Sequence, residues 1–174
     1  LGIESGSEYV RNGADKKIDG NGIVGTVDKI HSHGIEVCAN YIFGLPDDTH
    51  ESMEQTMQLS IDINAAWSNL YCAMAYPGSP LHKYAKNNNI KLPEDKGGPG
   101  WIGYSQHAYE SLPLRNNNLS ISDILRFRDE AHIRYYDRTG YLEMIERKFG
   151  IDSRKHIEGM NKVRLRRKYI ESSS

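Results

Sequence analysis

Ile35-Glu36-Val37-Cys38-Ala39-Asn40-Tyr41-Ile42-Phe43-Gly44-Leu45-Pro46 decides how this chain folds. Residues 35–42 are rich in β-branched and aromatic side chains and predict a strand, which Phe43-Gly44-Leu45-Pro46 breaks. Upstream, Ile23, Val24, Val27 and Ile30 recur at helical spacing, with Gly34 placed for a left-handed C-cap. Downstream, Asp48 with Glu51 three residues on predicts a capping box for a helix bearing Met53, Met57 and Ile61. The alternation extends both ways. Residues 1–5 predict a strand and Ser7 caps a brief helix; residues 69–76 predict a third strand, ended by Pro77-Gly78 before a helix over 79–86. Repeated strand and helix predict an α/β fold of three parallel strand–helix units joined by right-handed crossovers. Chemistry in such folds gathers at the C-terminal strand ends. Here those ends are Glu4-Ser5-Gly6-Ser7, residues 40–46 and residues 75–80.

Composition narrows the class. With 174 residues, 22 Lys+Arg against 23 Asp+Glu, a net charge of -1 and 38% hydrophobic residues, the chain is ordinary globular protein, not collagen, coiled coil or disordered tail. Its apolar runs are too short to cross a bilayer, and no charged stretch leads into an apolar one as a secretion signal would. Two cysteines, Cys38 and Cys72, cannot build a disulfide framework; they read as small buried apolar residues and point to a reducing, cytoplasmic compartment. Leu1 already belongs to a strand, so a piece of a longer protein is expected.

Charge divides the chain. Residues 1–85 hold 5 Lys+Arg and 11 Asp+Glu, and residues 86–174 hold 17 and 12. Asn87-Asn88-Asn89 and a Gly- and Pro-rich stretch over 93–100 lie between them. A compact α/β unit at 1–88 and a linker with a C-terminal α-helical extension at 89–174 follow. In the extension Ser122 is expected to cap a helix that Gly140 stops, and 141–149 predicts a shorter helix with Gly150 behind it. Residues 154–168, with seven Lys+Arg and one Glu, predict a weakly amphipathic basic helix. Such a helix could touch RNA, but with Tyr169 its lone neighbouring aromatic its charges read as a solvated face.

Gly20-Asn21-Gly22-Ile23-Val24-Gly25 matches the dinucleotide fingerprint in letters. The mechanism needs a strand immediately before the glycines, and none precedes them, so a turn before the helix is the plainer reading. A stand-alone nucleotide-binding α/β domain stays open as an alternative function, as does a non-catalytic interaction module whose tail docks a partner. The histidines predict no metal site: His31 and His33 do not share a helix face, and His50, His82, His107, His132 and His156 lack Cys or acidic neighbours at ligand spacing. No hydrolase elbow or triad can be assembled, so catalytic residues stay unassigned.

Three segments matter as a set: Gly2-Ile3-Glu4-Ser5-Gly6-Ser7, Ile42-Phe43-Gly44-Leu45-Pro46-Asp47-Asp48-Thr49 and Tyr76-Pro77-Gly78-Ser79-Pro80-Leu81. In this order they resemble the C-terminal half of the radical S-adenosylmethionine enzymes. Trp101, Tyr104, Ser105 and Arg126-Phe127-Arg128-Asp129-Glu130-Ala131 are similar to the helical ending of the cobalamin-associated members. The resemblance implies the second half of a partial (β/α)6 TIM-like barrel within an iron–sulfur oxidoreductase. It implies S-adenosylmethionine and a [4Fe–4S] cluster in the full-length protein, with cobalamin as a further cofactor and a small-molecule substrate of unknown identity. The family's C-x-x-x-C-x-x-C is absent here, so this chain alone is expected to hold no cluster and to be inactive.

For the cofactor pocket the resemblance implies Glu4 toward the ribose or methionyl part, with the Ser5 hydroxyl beside it. It implies Lys16 for the cofactor carboxylate, Asn40 for the ribose, and Ile42 and Leu45 along the adenine. A half barrel also leaves an open edge and a concave side expected to bare Ile3, Val37, Ala39, Tyr41 or their neighbours. Self-association, or docking onto a missing N-terminal part of the same chain, is the expected consequence.

Overall fold

The computed structural model describes residues 1–14 and 20–172. Strands β1 (Gly2–Glu4), β2 (Cys38–Phe43) and β3 (Trp67–Cys72) form one parallel sheet in the order β1-β2-β3. Between and after them come α1 (Glu8–Gly13), α2 (Gly20–Ser32), α3 (His50–Ile63) and α4 (Pro80–Asn87). The predicted alternation and parallel pairing are therefore observed. The three strands form an open sheet and no barrel. Strand bounds shift: Gly34, at φ 72, ends the α2 turn and residues 35–37 carry the chain to the sheet. Beyond Cys72 the chain leaves β2 after one more bond, Ala73 N to Phe43 O at 2.8 Å.

Each strand turns alternate side chains to alternate faces. Ala39, Tyr41 and Phe43 of β2 and Ser68, Leu70 and Cys72 of β3 are buried. All of these but Ser68 pack in one core with Ile23 and Val27 of α2, Met53 and Met57 of α3, and helices of the second half. Each large apolar side chain so buried contributes about 1.5–3 kcal/mol. Ile3, Val37, Ala39 and Tyr41 thus belong to this helix-covered core, which corrects the expectation that they bare themselves on the open side. The water-facing side carries Cys38, Asn40, Ile42, Trp67, Asn69 and Tyr71 instead.

The second half runs through a 3-10 turn (Gly100–Tyr104), α5 (Ile121–Tyr136), α6 (Thr139–Phe149), α7 (Ile151–Met160) and α8 (Lys168–Glu171). Ser120, not Ser122, caps α5, because its side chain reaches Asp123 N while Asp123 bonds back to Ser120 N. Helix α5 ends at Tyr136, and Gly140 lies inside α6. The basic helix expected over 154–168 does not exist as one element. Helix α7 stops at Met160, and Arg167 turns inward to form a two-pronged ion pair with Asp129 at 2.8 Å. Arg167 also donates to the carbonyls of Gln106 and Ala108. Helices α5 to α7 share the core of the sheet.

The free edge of β3 is closed by side chains rather than by a fourth strand. Tyr136 OH bonds both Ser68 N and Ser68 O, at 3.0 and 2.7 Å. Arg128 Nε donates to Leu70 O at 2.8 Å, and the Gln106 amide takes Cys72 N and Cys72 O at 2.8 and 2.9 Å. Five edge groups that could template another chain, on Ser68, Leu70 and Cys72, are thereby satisfied. Among the described residues no helix is long and apolar enough to cross a membrane.

Candidate functional site

A cavity of about 640 Å³ opens at the C-terminal ends of the strands, a volume in the range of small-ligand sites. Glu4 enters it from the end of β1, Ile42, Leu45, Pro46 and Asp47 from the end of β2, and Met74 from just past β3. Helix α4 supplies Pro80, Leu81 and Tyr84, with Ser79 before it, and the C-terminal end of α1 adds Gly13 and Ala14. The floor is mostly apolar, and among the described residues the charged members of the wall, Glu4 and Asp47, are both acidic.

Glu4 sits at φ 68, a left-handed conformation that a residue with a Cβ adopts at a cost of about 1–2 kcal/mol. Strain of this kind clusters where a side chain must be aimed. It ends β1 and places the half-buried Glu4 in the cavity wall. Ser5, next along, faces the other way. It is fully buried, its hydroxyl paired with Thr56 Oγ1 of α3 at 3.1 Å and its carbonyl accepting from Arg11 at 2.8 Å.

The β2–α3 loop is shaped by Gly44 and Asp48. Gly44 has φ 82, and a Cβ there would lie 2.7 Å from the Ile124 side chain. Asp48 is buried, accepts from Gly44 N and Leu45 N at 2.9 Å each, and takes the Ser52 hydroxyl. Burial raises its carboxyl above the usual range while those hydrogen bonds pull it down. The expected Asp48–Glu51 capping box is corrected: Thr49 caps α3, with Ser52 reciprocating, because Asp48 is engaged by the loop. Asn116, distant in sequence, donates to Leu45 O and Asp48 O and accepts from Asn118 N and Leu119 N. Nothing local in the sequence marked Asn116 as the brace of this wall. On the other wall Ser79 caps α4, and Glu94 ties His82 (2.6 Å) to the Tyr104 hydroxyl. Although burial opposes it, those two hydrogen bonds hold the Glu94 carboxyl down near about 2.

The structure therefore brings Glu4, Ile42 and Leu45 together in the cavity. Asn40 lies one step below Ile42 on the same sheet face, Ser5 is a buried link to α3, and Lys16 lies outside the described residues. Gly22 and Gly25 fall inside α2, so the Gly20–Gly25 run is neither a phosphate loop nor a turn before the helix. Among the described residues no three His, Cys, Asp or Glu side chains converge as metal ligands. A second cavity, about 480 Å³ with Trp67 and Phe149 in its wall, lies at the other end of β3.

No protein-family model matches the chain. Over 92 residues, 53% of its length, it is 30% identical to an uncharacterized methyltransferase of Pyrococcus horikoshii. The similarity is to a methyltransferase. The matched stretch spans only about a fifth of that relative, 20% of its length. This finding overturns the identification as a fragment of a radical S-adenosylmethionine iron–sulfur oxidoreductase, because the similarity carries the name of methyl transfer and not of radical chemistry. The [4Fe–4S] cluster and cobalamin rested on that identification alone. S-adenosylmethionine remains compatible, since it is also a donor in polar methyl transfer.

Proposed function

We propose that this chain forms the cofactor-binding α/β part of a methyltransferase that uses S-adenosylmethionine. The observation that carries the reading is a largely apolar cavity of about 640 Å³ at the ends of parallel strands, with Glu4, at a left-handed backbone, in its wall. Similarity to a methyltransferase supports it. The nucleotide-binding alternative is thus favoured, through the strand ends and not through the glycine run.

The residues present suit the cofactor. Ile42, Leu45 and Pro80 offer an apolar slot for a purine, while Glu4 and Asp47 can accept hydrogen bonds from a ribose diol. Their negative charge also favours a sulfonium cation. Bound there, the cofactor supplies an electrophilic methyl group. The chain's part is to hold it, to keep water from the apolar wall, and to offer a carboxylate to a proton leaving the methyl acceptor. Calorimetry with S-adenosylhomocysteine tests this. Saturable binding is expected, weakened about 5- to 100-fold in Glu4→Ala if a buried hydrogen bond is lost. A folded wild-type protein giving no heat at millimolar ligand refutes the assignment.

A further inference from the structure

The cavity at the N-terminal end of β3 takes no part in the chemistry above. About 480 Å³ in volume, it lies between the start of β3, the end of α6 and the first turns of α7. Ile145 and Ile157, both members of the core, form its floor. Trp67 and Phe149 stand in its wall at 38% and 48% exposure. A single exposed aromatic needs no explanation, but two on one concave surface form the kind of patch that marks a ligand site. Trp67 is also held in place. Its ring lies against that of Tyr136, with centroids 5.4 Å apart, and its Nε1 donates to Asn69 Oδ1 at 2.9 Å. A ring fixed in this way is preorganised and costs little entropy to use.

Hydrogen-bond accounting then assigns the charge of the ligand. The Trp67 N–H is spent on Asn69, and the Ser153 hydroxyl donates to Phe149 O at 3.1 Å. Asp152 and His156, four residues apart, share one face of α7 with Ser153 between them. The Asp152 carboxylate accepts and cannot donate, and among the described residues it has no hydrogen bond or ion pair. Among the described residues no Lys or Arg is in the wall. Of the flanking cations, Lys148 is paired with Glu36, and Arg154 with Glu146 and Glu158. A ligand carboxylate would therefore meet Asp152 and no cation. An ammonium group meets a carboxylate and two aromatic rings, whose faces attract cations, tryptophan most strongly. The uncapped first turn of α7 favours an anion instead, and Asp152 inside that turn already answers it.

We propose that this cavity is a second binding site, for a small organic amine that carries its ammonium group on an aromatic or alkyl body. It is separated from the cavity at the strand ends by the length of β3, about 17 Å for six residues, and does not depend on the methyltransferase reading.

Three ligands with one body test it: 4-phenylbutylamine, 4-phenylbutanol and 4-phenylbutyrate, titrated at neutral pH. Trp101→Phe removes the other, exposed tryptophan, so that Trp67 alone reports by fluorescence. The amine is expected to change Trp67 emission saturably. It should bind about three- to twentyfold more tightly than the alcohol, the combined worth of an exposed ion pair and a cation–π contact, with the carboxylate weakest. Asp152→Asn should cut the amine's advantage over the alcohol at least about twofold. Glu143→Gln, which removes an exposed carboxylate of α6 outside the wall, should leave that advantage unchanged. Circular dichroism checks that each variant is folded. No saturable change in the parent protein, an alcohol or carboxylate that binds as tightly as the amine, or an undiminished advantage in folded Asp152→Asn overturns the proposal. Displacement of the amine by S-adenosylhomocysteine would put it in the strand-end cavity and overturn the proposal as well.

Discussion

Tyr136→Phe isolates the side-chain closure of β3. The ring is kept, so its packing against Tyr135, Tyr141 and Trp67 survives, and only one oxygen leaves. That oxygen serves both backbone polar groups of Ser68, accepting from its N–H at 3.0 Å and donating to its carbonyl at 2.7 Å. Burial keeps the phenol protonated well above its ordinary range, so it stays a donor at any working pH. Tyr136 and Ser68 are 1% and 2% exposed, too deep for water to replace the hydroxyl. A buried donor and acceptor left bare cost about 1–3 kcal/mol each, and partial relaxation brings the expected loss to about 2–4 kcal/mol. Tyr141→Phe is the control, because it removes a single bond to the half-buried carbonyl of Ala66 and should cost about 1 kcal/mol. Urea unfolding followed by circular dichroism reads both, as midpoint shifts at constant slope. A loss in Tyr136→Phe no greater than in Tyr141→Phe would mean that water reaches the edge, and the closure argument would fail.

Gly6→Ala should cost about 1–3 kcal/mol or prevent folding, since a Cβ would lie 2.4 Å from Gln55 O and 2.6 Å from Thr56 N in the backbone of α3; an unchanged urea midpoint would contradict that contact. Glu4→Gly should raise the unfolding midpoint by relieving the positive φ while weakening S-adenosylhomocysteine binding, whereas Glu4→Ala should lose binding without the gain; undiminished binding in Glu4→Gly would remove the carboxylate from the site. Burial, then the charges of Arg128 and His107, depress His132 from 6.5 to about 4. The unfolded chain takes up that proton first, so stability is complete above about pH 6.5 and declines as pH falls toward 4. The urea midpoint should fall over that window less steeply in His132→Gln than in wild type, and identical slopes would exclude His132 as the cause.

The elements themselves were legible because their signals are local. Runs of β-branched and aromatic residues, helical spacing, and the breaks at Gly34 and Phe43-Gly44-Leu45-Pro46 depend on neighbours a few residues apart, and they sufficed for parallel strand–helix units and for strand ends bearing Glu4, Ile42 and Leu45. Single-residue caps were less legible: Ser120 and Ser122 are the same residue type, Thr49 and Asp48 are both good N-caps, and only the loop's need for Asp48 tells the latter two apart. What covers each surface was decided in three dimensions. Tyr136, Arg128 and Gln106 reach β3 across 68, 58 and 34 residues. Arg167 leaves a basic run to pair with Asp129 across 38 residues, and Asn116 braces Leu45 across 71. Hydrogen bonds of this kind have no period. A polar side chain takes whichever unpaired group the packed helices bring within about 3 Å of it, and that is known only once the core has closed.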